Sequence, residues 1–166
     1  MLTPYSMKFN AHKTTSTSET IVTKLAIIQF DQDGKLINHL YTPEFKLLPN
    51  GNFYALRTPH IVIKRPNEIA WQITANSAFI PTSGDNITFH KNVLVQQAGS
   101  IGMINNTINT EELIYYPKKH LAISNVAVIF KQPGNTVHAY GMYADLDIRN
   151  IRLLGKPYAI FEPFHA

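Results

Sequence analysis

The chain has no cysteine and few charges. Without cysteine, its 166 residues cannot form a disulfide, a thiolate-ligated zinc site or a cysteine nucleophile. Charged residues make up only 16% of the sequence, a low share for a soluble domain, which leaves more uncharged surface for a lipid or a protein edge to use. No apolar run reaches the roughly 18 residues a membrane helix needs. Met1 to Phe9 lacks the apolar stretch of a secretory signal. No window of about 11 residues holds a helical period, which argues against a helical bundle. Phosphate-cradling glycine loops and the G-x-S-x-G elbow are also missing. The basic runs Lys64-Arg65, Lys118-Lys119 and Arg149 with Arg152 are too thin for a nucleic-acid stripe. The net charge of +4 still favours anionic partners.

What the chain does have is repetition. Four stretches of roughly 33 residues share one pattern. Thr42-Pro43-Glu44-Phe45-Lys46-Leu47, Ala75-Asn76-Ser77-Ala78-Phe79-Ile80, Thr110-Glu111-Glu112-Leu113-Ile114-Tyr115 and Gly141-Met142-Tyr143-Ala144-Asp145-Leu146 align. Each has a small residue, an apolar or small residue three positions on, and an apolar residue two further. The stretches that start at Pro59, Asn92, Asn125 and Pro157 correspond as well. Each unit reads as two or three short strands. Leu36, Asn38 and Leu40 alternate with Ile37, His39 and Tyr41, and Trp71, Ile73 and Ala75 share a face. Turn signals recur at strand-length intervals, and Asp31-Gln32-Asp33-Gly34 closes a strong hairpin. The fold expected is all-β: an elongated stack of antiparallel strands, as in a sandwich, jelly roll or barrel. His12 to Thr20 is polar and rich in Ser and Thr and reads as a flexible arm or an early edge strand, so residues 1–20 are expected to form a flexible N-terminal arm and residues 21–166 one domain.

Nothing in the pattern builds a catalytic centre. The seven histidines are scattered, with no pair at metal-ligand spacing. Asp31-x-Asp33-Gly34 lacks the downstream glutamate of a calcium loop and fits a hairpin turn better. No metal, cofactor or enzymatic activity is therefore expected. The aliphatic and aromatic positions either close into an ordinary sandwich core or line an interior left open between splayed sheets.

The order of these motifs is similar to that of a known family. The hairpin Phe30-Asp31-Gln32-Asp33-Gly34-Lys35-Leu36, the Thr58-Pro59 strand, Trp71-Gln72-Ile73-Thr74-Ala75, the Gly141 to Leu146 stretch and Tyr158-Ala159-Ile160-Phe161-Glu162-Pro163 together resemble the LptC family. More broadly, the chain resembles the OstA-like proteins, which include the bridge protein LptA. The resemblance covers about Thr20 to Pro163. Gly34 stands where the family has a hairpin glycine, while a second family glycine has no counterpart near Val128-Ile129.

The resemblance implies a β-jellyroll open along one side, whose interior takes the acyl chains of lipopolysaccharide. It implies a periplasmic domain whose inner-membrane helix is absent from this chain. The N-terminal edge would meet the LptB/LptF/LptG transporter, which would hydrolyse the ATP. The C-terminal edge, Tyr158, Ala159, Ile160 and Phe161, would accept a strand from an LptA-like bridge protein. Strand alternation and the family pattern together place Leu25, Leu36, Leu40, Leu56, Ile63, Trp71, Ile73, Phe89, Val95, Val128, Ile148 and Phe161 inward, as the lipid-contacting set. Three rival readings are a soluble LptA-like bridge protein, a carbohydrate-binding or structural sandwich that touches no lipid, and a sugar-active enzyme on a jelly roll, which would need two carboxylates meeting in a cleft.

Overall fold

The computed structural model describes residues 8–16, 19–97, 106–148 and 150–161. They form one antiparallel sheet of 13 strands folded along a line. In chain order these are β1 (Lys8–Ser16), β2 (Glu19–Phe30), β3 (Leu36–Leu47), β4 (Phe53–Arg57), β5 (His60–Ile63), β6 (Trp71–Thr74) and β7 (Ser77–Pro81). Then follow β8 (Ile87–Gln97), β9 (Thr107–Tyr116), β10 (Leu121–Gln132), β11 (Asn135–Asp145), β12 (Asn150–Leu153) and β13 (Tyr158–Phe161). Helical structure among the described residues is a single 3-10 turn, Pro117–Lys119. The domain boundary expected at residue 20 falls inside β2, and β1 pairs with β2, which brings residues 8–16 into the sheet.

The strands are longer than the sequence pattern suggested. β3 and β10 each run for 12 residues and β8 and β11 for 11. The reason lies in their pairing. The first part of β3, Asn38 to Tyr41, pairs with β5, whereas Glu44 to Leu47 pairs with β4. Likewise β8 pairs through Thr88 to His90 with β7 and through Leu94 to Gln97 with β6. β11 pairs through Asn135 to His138 with β13 and through Met142 to Asp145 with β12. Each long strand thus serves two half-sheets. Sheet I holds β5, β6, β13 and one part of each long strand; sheet II holds β4, β7, β12 and the other part.

Every passage between the half-sheets falls on one line, the corner. A strand that turns a corner needs a bulge, a small residue or a left-handed backbone, because a regular pleat runs straight on. All three occur there. Lys24, Thr58, Lys91, Asn92 and Lys156 have φ between 41° and 62°. The pairing registers break between His90 and Val93 and between Ser124 and Ala127. The four repeat starts, Thr42, Ala75, Thr110 and Gly141, all lie on this line, as do Pro59, Asn92, Asn125 and Pro157. The repeat is therefore the interval between every second corner crossing, one passage from sheet I to sheet II and one back.

Buried hydroxyls hold the corner. Thr42 is fully buried, with Oγ1 2.8 Å from the Glu44 carbonyl and 2.7 Å from that of Arg57. Thr110 Oγ1 lies 2.8 Å from the Ala127 carbonyl and 3.1 Å from Ser124 Oγ. Carbonyls released from the ladder by each bend are satisfied there, which a buried polar group requires. Inward side chains of both half-sheets pack into one core that contains Leu40, Leu56, Ile61, Phe89, Val93, Leu113 and Val128.

Candidate ligand-binding cavity

Opposite the corner, no strand joins the half-sheets among the described residues. The gap between them widens into a cavity of about 460 Å³, within the range of sites that enclose a small-molecule ligand. Sheet I contributes Ile63, Trp71, Ile73, Val95 and Ile108 to its wall. Sheet II contributes Leu113, Ala122, Met142, Ala144 and Ile151. Strand alternation sends these residues inward: Ile63 pairs with Trp71 and Ile73 with Val95 in sheet I, and Ala144 pairs with Ile151 in sheet II. Polar groups stand only toward the rim, where Asn67, Glu68, Gln97, Asn106 and Asp145 surround the apolar floor.

Beside the cavity a polar bridge runs from one half-sheet to the other. Tyr115 of sheet II donates its phenol proton to Asn38 Oδ1 of sheet I at 3.3 Å, and Asn38 Nδ2 donates to Gln29 Oε1 at 2.8 Å. Tyr115 is fully buried, and desolvation pushes its pKa up to about 12, against smaller opposing effects of Arg65 and of the Asn38 hydrogen bond. Arg65, in the sheet I loop after β5, reaches Asp147 in the sheet II loop after β11 at 3.1 Å. Asp147 also lies 2.8 Å from His120 Nδ1. No group of residues suited to hold a metal ion occurs among the described residues.

The twelve residues expected inward divide into distinct sets. Ile63, Trp71, Ile73 and Val95 line the cavity. Leu40, Leu56, Phe89 and Val128 are buried in the core, away from its wall. Leu25 is buried at the corner and Leu36 is half-buried near the rim. Ile148 and Phe161 point outward, contrary to expectation, and are 68% and 72% exposed. Ile148 sits in the turn between β11 and β12, where no alternation applies. Phe161 ends β13, a terminal edge strand whose four side chains are all exposed. The sequence reading missed Ile108, Leu113, Ala122, Met142, Ala144 and Ile151. The alternation Met142, Ala144, Leu146 within the fourth repeat was the available signal for two of them.

Strand β13 pairs with β11 on one side through four registered residues, and His138 stacks on Tyr158 with ring centroids 5.0 Å apart. Its other edge is unpaired among the described residues, and all four of its side chains are exposed. At the hairpin between β2 and β3, the Gly34 amide donates to the Asp31 carbonyl, and the Asp33 and Lys35 amides donate to Asp31 Oδ1. Gly34 has φ +77°, a conformation glycine adopts without the penalty of a β-carbon.

A folded antiparallel sheet, closed at a corner and open to an apolar cavity on the other side, defines an open β-jellyroll. Comparison with known proteins gives it a family. A family model described as lipopolysaccharide-assembly, LptC-related, matches residues 3–162, and the chain belongs to that family. Its role therefore lies in lipopolysaccharide transport. Among solved structures it is similar to LptH, the LptA-homologous periplasmic component of the lipopolysaccharide transport device from Pseudomonas aeruginosa. That likeness has a TM-score of 0.56 at 10% identity, covers 76% of this chain and 95% of the other, and concerns the fold. No curated protein matches the chain significantly. No helix among the described residues is long and apolar enough to cross a membrane.

Proposed function

We propose that the chain receives lipopolysaccharide at the inner-membrane transporter and passes it to a periplasmic bridge protein, with the acyl chains carried between the half-sheets. The observation that carries this reading is the apolar cavity open opposite the corner. An acyl chain in water costs about 0.8 kcal/mol per CH₂, on the order of 10 kcal/mol for a whole chain, and an apolar trough removes that cost. The chain acts without catalysis, as a periplasmic domain held at the inner membrane. Its N-terminal edge faces the LptB/LptF/LptG transporter, and the free edge of β13 accepts a strand of an LptA-like partner by main-chain pairing.

Photo-crosslinking tests the trough. A crosslinker at Trp71 or Ile151 is expected to label lipopolysaccharide, and one at the exposed Ile148 is not. Equal labelling at all three sites would refute an interior route. Removal of residues 158–166 is expected to abolish capture of an LptA-like partner while circular dichroism of the remaining sheet is retained. Undiminished capture by the shortened chain would exclude β13 as the docking edge.

A further inference from the structure

We infer that Arg65 is an anion receptor at the rim of the cavity, held through Nη1 by Asp147 until it swings free and offers its buried Nε–Nη2 edge to the phosphate head group of an amphiphile. The inference rests on the lipid-trough reading and adds to it a head-group site and a latch. Arg65 is 14% exposed, and Nη1 faces Asp147 at 3.1 Å. Its other two nitrogens, Nε and Nη2, are buried with no hydrogen-bond partner. These two N–H groups form one edge of the planar guanidinium and match two oxygens of a single phosphate or carboxylate. A buried cation with its two-pronged edge unused is costly, and such unsatisfied groups call for an explanation. Occupancy by a two-oxygen anion supplies one.

Asp147 is suited to leave. It is 55% exposed, so water resolvates its carboxylate once Arg65 lets go, and His120 remains at 2.8 Å as a second partner. The placement is also right. Asn67 and Glu68 follow Arg65 on one rim, Asp145 and Leu146 precede Asp147 on the other, and all four border the cavity. A tail on the apolar floor therefore brings its head group to this pair. Tail burial on the apolar floor adds to the head-group contact, so free phosphate binds more weakly than an amphiphile that carries the same group.

Trp71 is the sole tryptophan and lines the cavity, so its fluorescence reports occupancy. Dodecyl phosphate, dodecyl maltoside and inorganic phosphate are titrated into the whole chain. Dodecyl phosphate is expected to bind about tenfold or more tightly than the maltoside, the scale of a charge-assisted pair of hydrogen bonds. Arg65→Gln loses this preference, and Arg65→Lys, which keeps the charge but not the two-pronged edge, loses most of it. Asp147→Asn strengthens dodecyl phosphate binding and leaves maltoside binding unchanged. Inorganic phosphate leaves Trp71 unaffected. Equal binding of both amphiphiles to the native chain, or a preference that survives Arg65→Gln, overturns the receptor while the trough stands. Inorganic phosphate binding as tightly as dodecyl phosphate overturns it in favour of a free-anion site. A Trp71 signal that responds to neither amphiphile overturns both the receptor and the trough.

Discussion

The corner and the mouth are built from the same strands by opposite means. At the corner the chain itself joins the half-sheets, and each bend is fixed by a left-handed residue, a bulge or a buried hydroxyl such as Thr42 or Thr110. At the mouth no strand crosses among the described residues, and the polar contacts from one half-sheet to the other centre on Tyr115 with Asn38 and Arg65 with Asp147. Rigidity and access are thereby assigned to opposite sides of the same residues. A ligand can part the mouth without breaking a ladder hydrogen bond, because the ladders run alongside the gap and not across it.

The largest test of this contrast is a pair of truncations. Phe89 is fully buried in the closed core, and Phe89→Ala is expected to cost about 3–5 kcal/mol by urea denaturation. Ile151 is half-buried at the cavity wall, and Ile151→Ala is expected to cost about 1 kcal/mol while weakening lipid labelling. Comparable losses would mean that the mouth is packed as firmly as the core.

A glycine pair sharpens the same contrast at a smaller scale. Gly155, at the corner, has φ +66°, and a β-carbon there would stand 2.6 Å from the Tyr140 carbonyl oxygen. Gly155→Ala is expected to cost roughly 2 kcal/mol or more, strain and clash together. Gly34, on the rim at φ +77°, would meet no atom within 4 Å, so Gly34→Ala costs about 1 kcal/mol from the backbone alone. Thermal melts of the two variants in parallel decide the order.

The smallest effect concerns pH. The folded pKa of Tyr115 is about 12, above the ordinary value of 10.0, so the native state holds this proton more tightly than the unfolded chain does. The stability it contributes is complete below pH 10 and is lost as pH rises through 12, on the order of 2 kcal/mol. Tyr115→Phe should flatten that alkaline loss and cost about 1 kcal/mol at neutral pH, since Asn38 then keeps its oxygen without the phenol donor. An unchanged alkaline profile in the variant would assign the loss to other groups.

Much of this contrast is legible in the amino-acid order, and part of it is not. The hairpin at Gly34 and the inward face of Trp71, Ile73 and Ala75 follow from alternation and turn chemistry, both local. The repeat at Thr42, Ala75, Thr110 and Gly141 is visible as a pattern, but its meaning as a line of bends emerges only when each long strand is seen to pair with two others. Ile148 was misplaced because alternation was carried into a turn, and Phe161 because alternation cannot tell a covered strand from an exposed edge strand. Arg65 and Asp147 lie far apart in the chain, and their meeting depends on how the two half-sheets cross, which no local pattern encodes.

The pairing order has a consequence for how the molecule forms and comes apart. Most strands lie beside their predecessor in the chain, and β5, β7 and β13 pair with strands two or three places back, so every pairing joins near neighbours in the chain order. Such a body assembles by zipping from any hairpin outward and frays strand by strand from its two ends. Hydrogen exchange should therefore grade along the sequence, slowest near β8 and β9 and fastest at β1 and β13. The strands that open most often are the terminal ones, and an opened strand is free to exchange its partner for another chain's.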